Sequence, residues 1–428
     1  MRIQESKSKG GRRAAQWAGR ACVVGGLALV LAGCNRIEAV PGGGAALETA
    51  PGAELLARAD SGKAEAQLEV GRFHATAAEE ADEPGARARH QAEALRWLTL
   101  AAEQEEAAAQ AELGILLVSA ETDFRNVAEG RRWLSRAGEA QQAPAFFMLG
   151  ELSRRGEDRP PDPVMAVAYW QRAADLGHAG AMHRLAEAHE EGLGVDPDLA
   201  AALGLYRQAA EAGYAISQYR LAVIYDEGKL VARNAGEAAQ YYRLAADQGY
   251  APAQAQLGYL YARGDGVIQR YDEAIRWSQL AAEQGDADGC NNLAVLYLKG
   301  LGVEQSVDEA LRWYRLAAQV QHPGAQNMLG TLYLTGDGVE ASTSEAEHWW
   351  RMAAEQGHAA AQYNLGGMFS RELSVTLTRD EAIDWLGRAA AQGHRSAARE
   401  LAELRATVAV EAEQAESSAV GEAERATL

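Results

Sequence analysis

Apolar residues recur along most of this chain at helical spacing, in pairs of stripes that repeat every 36 residues. In the segment 251–286, the first stripe contains Ala253, Leu257 and Leu260, a spacing that places them on one face of a helix. The second stripe begins at Ala274 and has the i, i+3, i+7, i+8 pattern of an amphipathic helix. The pattern therefore predicts two helices in each 36-residue unit.

The register of the units is marked by an Ala-Ala doublet in the second stripe. From Ala107 to His394 the chain divides into eight units of 36 residues without insertion, and a ninth unit at 63–106 carries eight extra residues. Each second helix also has an aromatic or large apolar residue, and we expect those in three units to be wedged between neighbours: Trp277, Trp313 and Trp349. The doublets stand at residues 173–174, 209–210, 245–246, 281–282, 317–318, 353–354 and 389–390.

Turn and capping residues separate the predicted helices. Gly264 and its equivalents follow the first helix, where the left-handed C′ conformation favours Gly. A side-chain cap such as Ser306 precedes the second helix, and Glu309 three residues later completes a capping-box pattern. Runs of Val, Ile and Thr typical of strands are almost absent. The sequence predicts an all-α fold.

These units resemble Sel1-like repeats, relatives of tetratricopeptide repeats with a slightly longer unit. The motif residues are the Leu-Gly-x-x-Tyr of the first helix, as at 257–261 and 329–333, and the Gly-x-Gly-Val loop that follows. The resemblance covers residues 63–394. It implies a right-handed superhelical solenoid of about nine helix-turn-helix repeats, with a C-terminal capping helix from Arg395. It also implies that first helices line a groove that binds protein partners. The loops stand at 192–195, 264–267, 300–303 and 336–339.

The first 33 residues have the pattern of a lipoprotein signal peptide. A basic segment precedes an apolar run at 21–31, which is too short to span a bilayer. The run ends in Leu-Ala-Gly-Cys, which resembles a lipobox and implies lipidation of Cys34. The alternative is an uncleaved anchor with a chance Cys. Asn35 is not the Asp that retains enteric lipoproteins in the inner membrane, so by this resemblance we expect attachment to the outer membrane, facing the periplasm.

The remaining chain divides into three parts. A Gly-rich segment at 34–52 is predicted to be a flexible tether of the lipidated end. Residues 53–410 form the predicted solenoid. Residues 411–428 are rich in Ala, Glu and Ser without apolar periodicity, and we expect a disordered tail.

Charge limits the classes of partner. The formal net charge is −19 for the whole chain, and it becomes −24 without the signal segment, which holds six basic residues and one acidic residue. Such a surface repels nucleic acid. An acidic partner would require a local basic patch, and the sequence shows none. We therefore expect no nucleic-acid partner.

Residues with catalytic or ligand chemistry follow the repeat rather than a site. His178, His322, His358 and His394 each end a unit, and equivalent positions about one repeat apart cannot share a metal ion. Cys290 would be the one cysteine left after Cys22 departs with the signal and Cys34 is lipidated, so we expect a small core residue. No Gly-Lys-Ser/Thr follows the Gly-x-Gly-Val loops, which excludes a phosphate loop. We expect no catalytic residue, metal or cofactor.

The expected function is that of a non-catalytic protein-protein interaction scaffold, lipid-anchored in the bacterial envelope and bound to unknown envelope proteins. Architectural similarity to lipoprotein scaffolds of exopolysaccharide secretion offers one setting, in secretion or exopolysaccharide export. The alternatives are a cell-wall or β-lactam hydrolase of the Sel1-like type, whose members are cysteine-rich unlike this chain, and a glycan-binding module. At the fifth and ninth positions of each unit, polar and aromatic residues would face the groove. The candidate groove residues are Tyr219, Tyr259, Asn291, Asn327 and Tyr363.

Overall fold

The computed structural model describes residues 51–119, 124–374 and 376–426. The predicted signal segment, Cys34 and the tether as far as residue 50 lie outside these residues. Within them the chain folds into helices joined by short turns, as the 36-residue pattern predicted. Within residues 53–227 and within residues 251–426, helices that are consecutive along the chain pack against each other.

The described residues contain twenty helices, most of them 13 residues long. They are α1 Ala53–Asp60, α2 Ala64–Glu80, α3 Pro84–Glu103, α4 Ala107–Ser119, α5 Val127–Glu139, α6 Ala143–Arg155, α7 Pro163–Asp175, α8 Ala179–Glu191, α9 Leu199–Glu211, α10 Ala215–Glu227, α11 Ala235–Asp247, α12 Ala251–Arg263, α13 Tyr271–Glu283, α14 Ala287–Lys299, α15 Val307–Gln319, α16 Pro323–Thr335, α17 Thr343–Glu355, α18 Ala359–Ser370, α19 Arg379–Ala391 and α20 Arg395–Ala426.

The helices form two compact groups, and the chain passes from one to the other within α11. The N-terminal group ends at Ala245, and the C-terminal group begins at Ala246. Each group is a series of helix pairs, one pair for each repeat unit. Because each pair contacts mainly its neighbours along the chain, stability in each group depends on local packing between adjacent units.

The predicted capping residues act at the helix ends. The Ser306 and Ser342 hydroxyls accept hydrogen bonds from the backbone N–H groups of Glu309 and Glu345. At Thr378 the capping box is reciprocal, since the Glu381 side chain also accepts from the Thr378 backbone. Six of the first helices end at glycines with φ between 65° and 77°, the left-handed region that favours Gly. These glycines are Gly156, Gly192, Gly228, Gly264, Gly300 and Gly336.

The large buried side chain of the second helix lies one residue later than predicted in two of three units. Trp277 is 2% exposed, but Trp313 and Trp349 are only half-buried, whereas Tyr314 and Trp350 beside them are 0% and 3% exposed. The position of Tyr314 and Trp350, which faces the small residue of the first helix, is called the inner position below. In the unit of Trp277 the small Ser278 occupies the inner position, and the preceding residue, Trp277, is buried as well.

The small residue of the first helix faces this inner position. A methyl group on Gly150 or Gly330 would lie within 2.4–2.6 Å of the rings of Trp170 and Trp350, so only Gly allows these rings to pack here. Where the small residue is Ala instead, the inner residue is Tyr, and the two share a core cluster. These pairs are Ala186 with Tyr206 and Ala294 with Tyr314.

Buried Gln side chains, called the Gln ladder below, connect the first helix of a unit both to the second helix of the preceding unit and to the end of the second helix in the same unit. Gln254 donates from Nε2 to the carbonyl of Ala246 at 3.1 Å, and its Oε1 accepts from Gln284 at 2.7 Å. The same pair occurs as Gln326 with Gln356 and as Gln362 with Gln392. Because each buried amide has both a donor and an acceptor partner, these polar groups do not cost the fold an unmade hydrogen bond.

The C-terminal helix caps the last unit, but the predicted disordered tail is helical in the structure. Leu401 of α20 is buried against Leu386 and Ala389, as expected of a capping helix. The helix then continues through residue 411 to Ala426. Ala, Glu and Arg have high helix propensity, and extending an existing helix needs no new nucleus. None of the described helices is long and apolar enough to cross a membrane.

Candidate functional site

The five candidate groove residues all lie on first helices, but they differ in exposure. Tyr259 on α12 is 42% exposed, and its hydroxyl accepts a hydrogen bond from Arg263 at 2.6 Å. Tyr363 on α18 is half-buried and stacks on His394 with ring centroids 4.5 Å apart. Tyr219 on α10 packs at 5.6 Å from Tyr242 in the N-terminal group. Tyr259 is therefore the most accessible of the three aromatic anchors.

The two candidate Asn residues are partly engaged in the fold. Asn327 accepts a hydrogen bond at its Oδ1 from Asn364 of the next unit at 3.0 Å, and its carbonyl accepts from Trp350 Nε1. Asn291 is half-buried on α14, where its neighbour Asn292 donates to the Ala255 carbonyl of the preceding unit. Asn327 and Asn292 thus connect adjacent units through their side-chain hydrogen bonds.

The predicted strip of groove positions is interrupted by buried side chains. At the same position in other units, Phe147, His183 and Ala255 are 3%, 5% and 0% exposed. The residue that ends a unit covers this position, because His178 stacks on Phe147 with ring centroids 4.5 Å apart. Spacing could identify the first-helix face, but only the structure shows which of its members reach solvent.

The histidines that end the units are helix N-caps. Nδ1 of His178, His322, His358 and His394 accepts a hydrogen bond of 3.0–3.2 Å from the backbone N–H three residues later. This satisfies one of the unpaired N–H groups in the first turn of a helix. The cap accounts for the recurrence that the sequence showed. In the part of the chain that the structure describes, no three His, Cys, Asp or Glu residues are placed to hold a metal.

One of these caps should make folding sensitive to pH. Burial lowers the pKa of His178 to about 4 in the folded chain. Between pH 6.5 and about pH 4 the unfolded chain therefore binds a proton at this residue, whereas the folded chain does not. We expect the free energy of unfolding to fall by roughly 3 kcal/mol from this residue between pH 6.5 and 4. His178→Asn keeps a capping side chain but does not titrate. Denaturation of both proteins across this range should therefore show a shallower pH dependence in the variant, and equal slopes would contradict the assignment.

A Ser, a His and a Glu come together in the N-terminal group without forming a usable active site. His183 Nδ1 lies 2.9 Å from Ser217 Oγ, and its Nε2 lies 3.3 Å from Glu187. Burial alone would raise the Glu187 pKa, but His183 and Arg184 outweigh it and lower this pKa to about 2. Ser217 is 0% exposed, so a substrate carbonyl cannot reach its hydroxyl. This trio packs α8 against α10.

A cluster of arginines surrounds a fully buried carboxylate on the same first-helix face. Glu151 of α6 is 0% exposed and lies 3.1 Å from Arg154, 3.7 Å from Arg155 and 3.0 Å from Arg184. Arg184 comes from the next unit and also contacts Glu187 at 2.7 Å. The sequence showed no basic patch because residues some 30 positions apart form it. The structure therefore corrects the expectation that no local cationic group exists.

Cys290 occupies the position where other units have the ladder Gln. It is buried on α14, and burial raises the pKa of its thiol to about 12, which keeps it protonated and unreactive at neutral pH. The position of the second ladder Gln holds Val320 in this unit. Replacement of both amides by apolar side chains avoids an unpaired buried polar group. The burial of Cys290 agrees with the small core residue expected from the sequence.

Comparison with known proteins finds the same repeat throughout the body of the chain. The Sel1 repeat family model matches nine segments: residues 85–106, 107–141, 143–178, 179–214, 215–250, 251–286, 287–322, 323–358 and 359–394. Among proteins with curated functions, none has significant sequence similarity to this chain.

Two solved structures resemble the chain in both sequence and fold. A protective antigen present in uropathogenic Escherichia coli strains, which displays an SLR fold, is 31% identical with a TM-score of 0.62. The match covers 81% of this chain and 73% of the antigen. A Sel1 repeat protein from Oxalobacter formigenes is 32% identical with a TM-score of 0.53, covering 72% of this chain and 90% of that protein.

Proposed function

We propose that this chain, which belongs to the Sel1 repeat family, is a non-catalytic scaffold that binds envelope proteins through the face formed by its first helices. Proteins of this family are generally protein-interaction scaffolds, and their solenoid fold is typically non-enzymatic. The observation that carries the proposal is the set of polar and aromatic side chains on this face, with Tyr259 exposed and Tyr363 half-buried. Rigid aromatic side chains of this kind supply contact area at a low entropic cost.

The proposed location follows from the N-terminal pattern. A basic segment, a short apolar run and the lipobox-like Leu-Ala-Gly-Cys support lipidation at Cys34. With Asn35 after it, we place the anchor in the outer membrane with the repeats in the periplasm. An assembly for secretion or exopolysaccharide export is one such setting. The lipid would hold the scaffold at the membrane surface, where the partners of an envelope assembly are concentrated.

The other two candidate functions have less support from the described residues. A serine or cysteine hydrolase needs an accessible nucleophile, and neither the buried Ser217 nor the protonated, buried Cys290 supplies one. A glycan-binding module would use exposed aromatic rings in a pocket, whereas Tyr259 and Tyr363 lie about three units apart along the chain. Such spacing favours an extended footprint on a protein partner.

The test is capture of partners in the envelope. A Tyr259→Ala, Tyr363→Ala double variant should remain helical by circular dichroism, because neither side chain is a core residue. In a crosslinked pull-down from envelope extract, we expect it to lose proteins that the unaltered chain retains, since Tyr is common among residues whose truncation costs ~2 kcal/mol or more of binding.

The matched control changes residues on the second helices. Glu273, Glu309 and Glu345 lie in the first turns of second helices, and changing all three to Gln removes charge without removing bulk. This variant should keep the partner set. If it loses the partners while the Tyr variant keeps them, the second-helix face is the interaction surface. If neither chain captures an envelope protein, the scaffold proposal fails.

A further inference from the structure

The arginine cluster around Glu151 has an excess of cationic groups. Within the described residues, ion pairs join four guanidinium groups to three carboxylates, which gives the cluster a formal charge of +1 in a chain of net charge −19. Glu121 and Asp123, which precede Arg125, lie outside the described residues. The arginine cluster consists of Arg125, Arg154, Arg155 and Arg184 with Glu151, Glu157 and Glu187.

Two of these guanidinium groups have donors to spare. Arg155 contacts Glu151 and Glu157 only at 3.7 and 3.6 Å and makes no hydrogen bond within the part of the chain that the structure describes. Arg154 makes one hydrogen bond, of 3.1 Å, to Glu151. A guanidinium carries five N–H donors. The side chains of Arg154 and Arg155 are 44% and 30% exposed, so a ligand can reach them.

The buried carboxylate of Glu151 fixes the guanidinium groups that surround it. A fully buried anion is costly unless it is paired, so it strongly favours the arrangement in which Arg154, Arg155 and Arg184 stay close to it. Side chains that are held before binding lose less conformational entropy when a ligand arrives. The planar fork of Arg then favours a ligand with the geometry of a carboxylate.

We infer that the arginine cluster binds an acidic, carboxylate-bearing segment of a protein partner. This inference rests on the proposed scaffold function and names the chemistry of one contact on its first-helix face. Charge complementarity supports this occupant, because a short acidic segment can engage Arg154 and Arg155 at one place on a chain that repels it elsewhere. A long polyanion such as a nucleic acid would instead be repelled by the net negative charge of the chain.

The probe is a fluorescein-labelled hexaglutamate peptide, and the reference is the same peptide made of glutamine. Fluorescence anisotropy on the purified full-length chain should show tighter binding of hexaglutamate than of hexaglutamine, with the difference decreasing as salt is added. The double variant Arg154→Gln, Arg155→Gln should weaken hexaglutamate binding about tenfold and leave hexaglutamine binding unchanged. Circular dichroism should show no loss of helix, because Arg184 still pairs with the buried Glu151 carboxylate in this variant.

A second double variant controls for net charge. Arg276 and Arg312 lie on second helices with side chains 60% and 55% exposed, and changing both to Gln removes the same charge from elsewhere. This variant should bind hexaglutamate as the unaltered chain does. If it weakens binding as much as the cluster variant, attraction depends on overall charge and the inference is overturned. Equal binding of the two peptides by the unaltered chain would also overturn it.

The inference and the proposed function can fail separately. Crosslinking of envelope proteins together with no preference of hexaglutamate for the arginine cluster would refute the acidic-segment site and keep the scaffold. Binding of hexaglutamate that depends on Arg154 and Arg155, together with no captured envelope protein, would support the site and refute the scaffold.

Discussion

Replacing Trp350 with Ala should reduce the local free energy of unfolding by ~3–5 kcal/mol, the usual cost of truncating a fully buried large aromatic side chain. Trp350 is 3% exposed, packs on Gly330 and donates from Nε1 to the Asn327 carbonyl at 3.0 Å. The truncation would leave a cavity and remove one of the hydrogen bonds that the Asn327 carbonyl accepts, while the Thr331 hydroxyl would still donate to this carbonyl. Because repeat units couple mainly to their neighbours, the damage should concentrate in α16, α17 and α18.

The adjacent Trp349 provides a matched control of the same residue type on the same helix. It is only half-buried, so Trp349→Ala should cost roughly half as much or less, in proportion to the apolar area removed from the core. Native-state hydrogen exchange of the amides of α16 and α18 would measure both effects. A larger effect from Trp349→Ala would mean that the two tryptophans have exchanged roles and that the inner position is wrongly assigned.

Changing Cys34 to Ser should abolish metabolic labelling of the protein by a palmitate analogue, because the thiol is the proposed attachment point of the lipid. The protein should then appear in the soluble fraction or keep its signal segment. A chain with two or more acyl groups remains stably on a bilayer, whereas one without them has no comparable anchor.

The other cysteines of the chain supply the controls for this experiment. Cys22→Ser changes a residue of the predicted signal, and Cys290→Ser changes a buried side chain in the repeats. Both variants should be labelled as strongly as the unaltered chain. Undiminished labelling of Cys34→Ser would exclude lipidation at that residue, and loss of labelling in Cys290→Ser would move the modification into the repeat domain.

Local sequence determined where the helices begin and end. The spacing of Ala, Leu and aromatic residues fixed two helices for each 36-residue unit, and residues such as Ser306, Thr378 and Gly264 cap them as predicted. These features depend on interactions within a few residues of the chain, so they can be inferred without knowing which units meet. The N-capping role of the histidines also lies within three residues, and its signal was their recurrence at the last position of four units.

Only the tertiary structure decided which of two adjacent residues enters the core and which charges meet. Trp349 and Trp350 both fit the helical stripe, and the space above Gly330 selects Trp350. Arg184 reaches Glu151 from the next unit, so no local pattern contains the arginine cluster. Residues 411–426 have no apolar periodicity that predicts a helix, yet α20, which packs on α19 at its start, continues to Ala426, because extending an existing helix needs no new nucleus. Contacts between units depend on side-chain volume and charge at positions far apart in the chain, and spacing alone does not determine them.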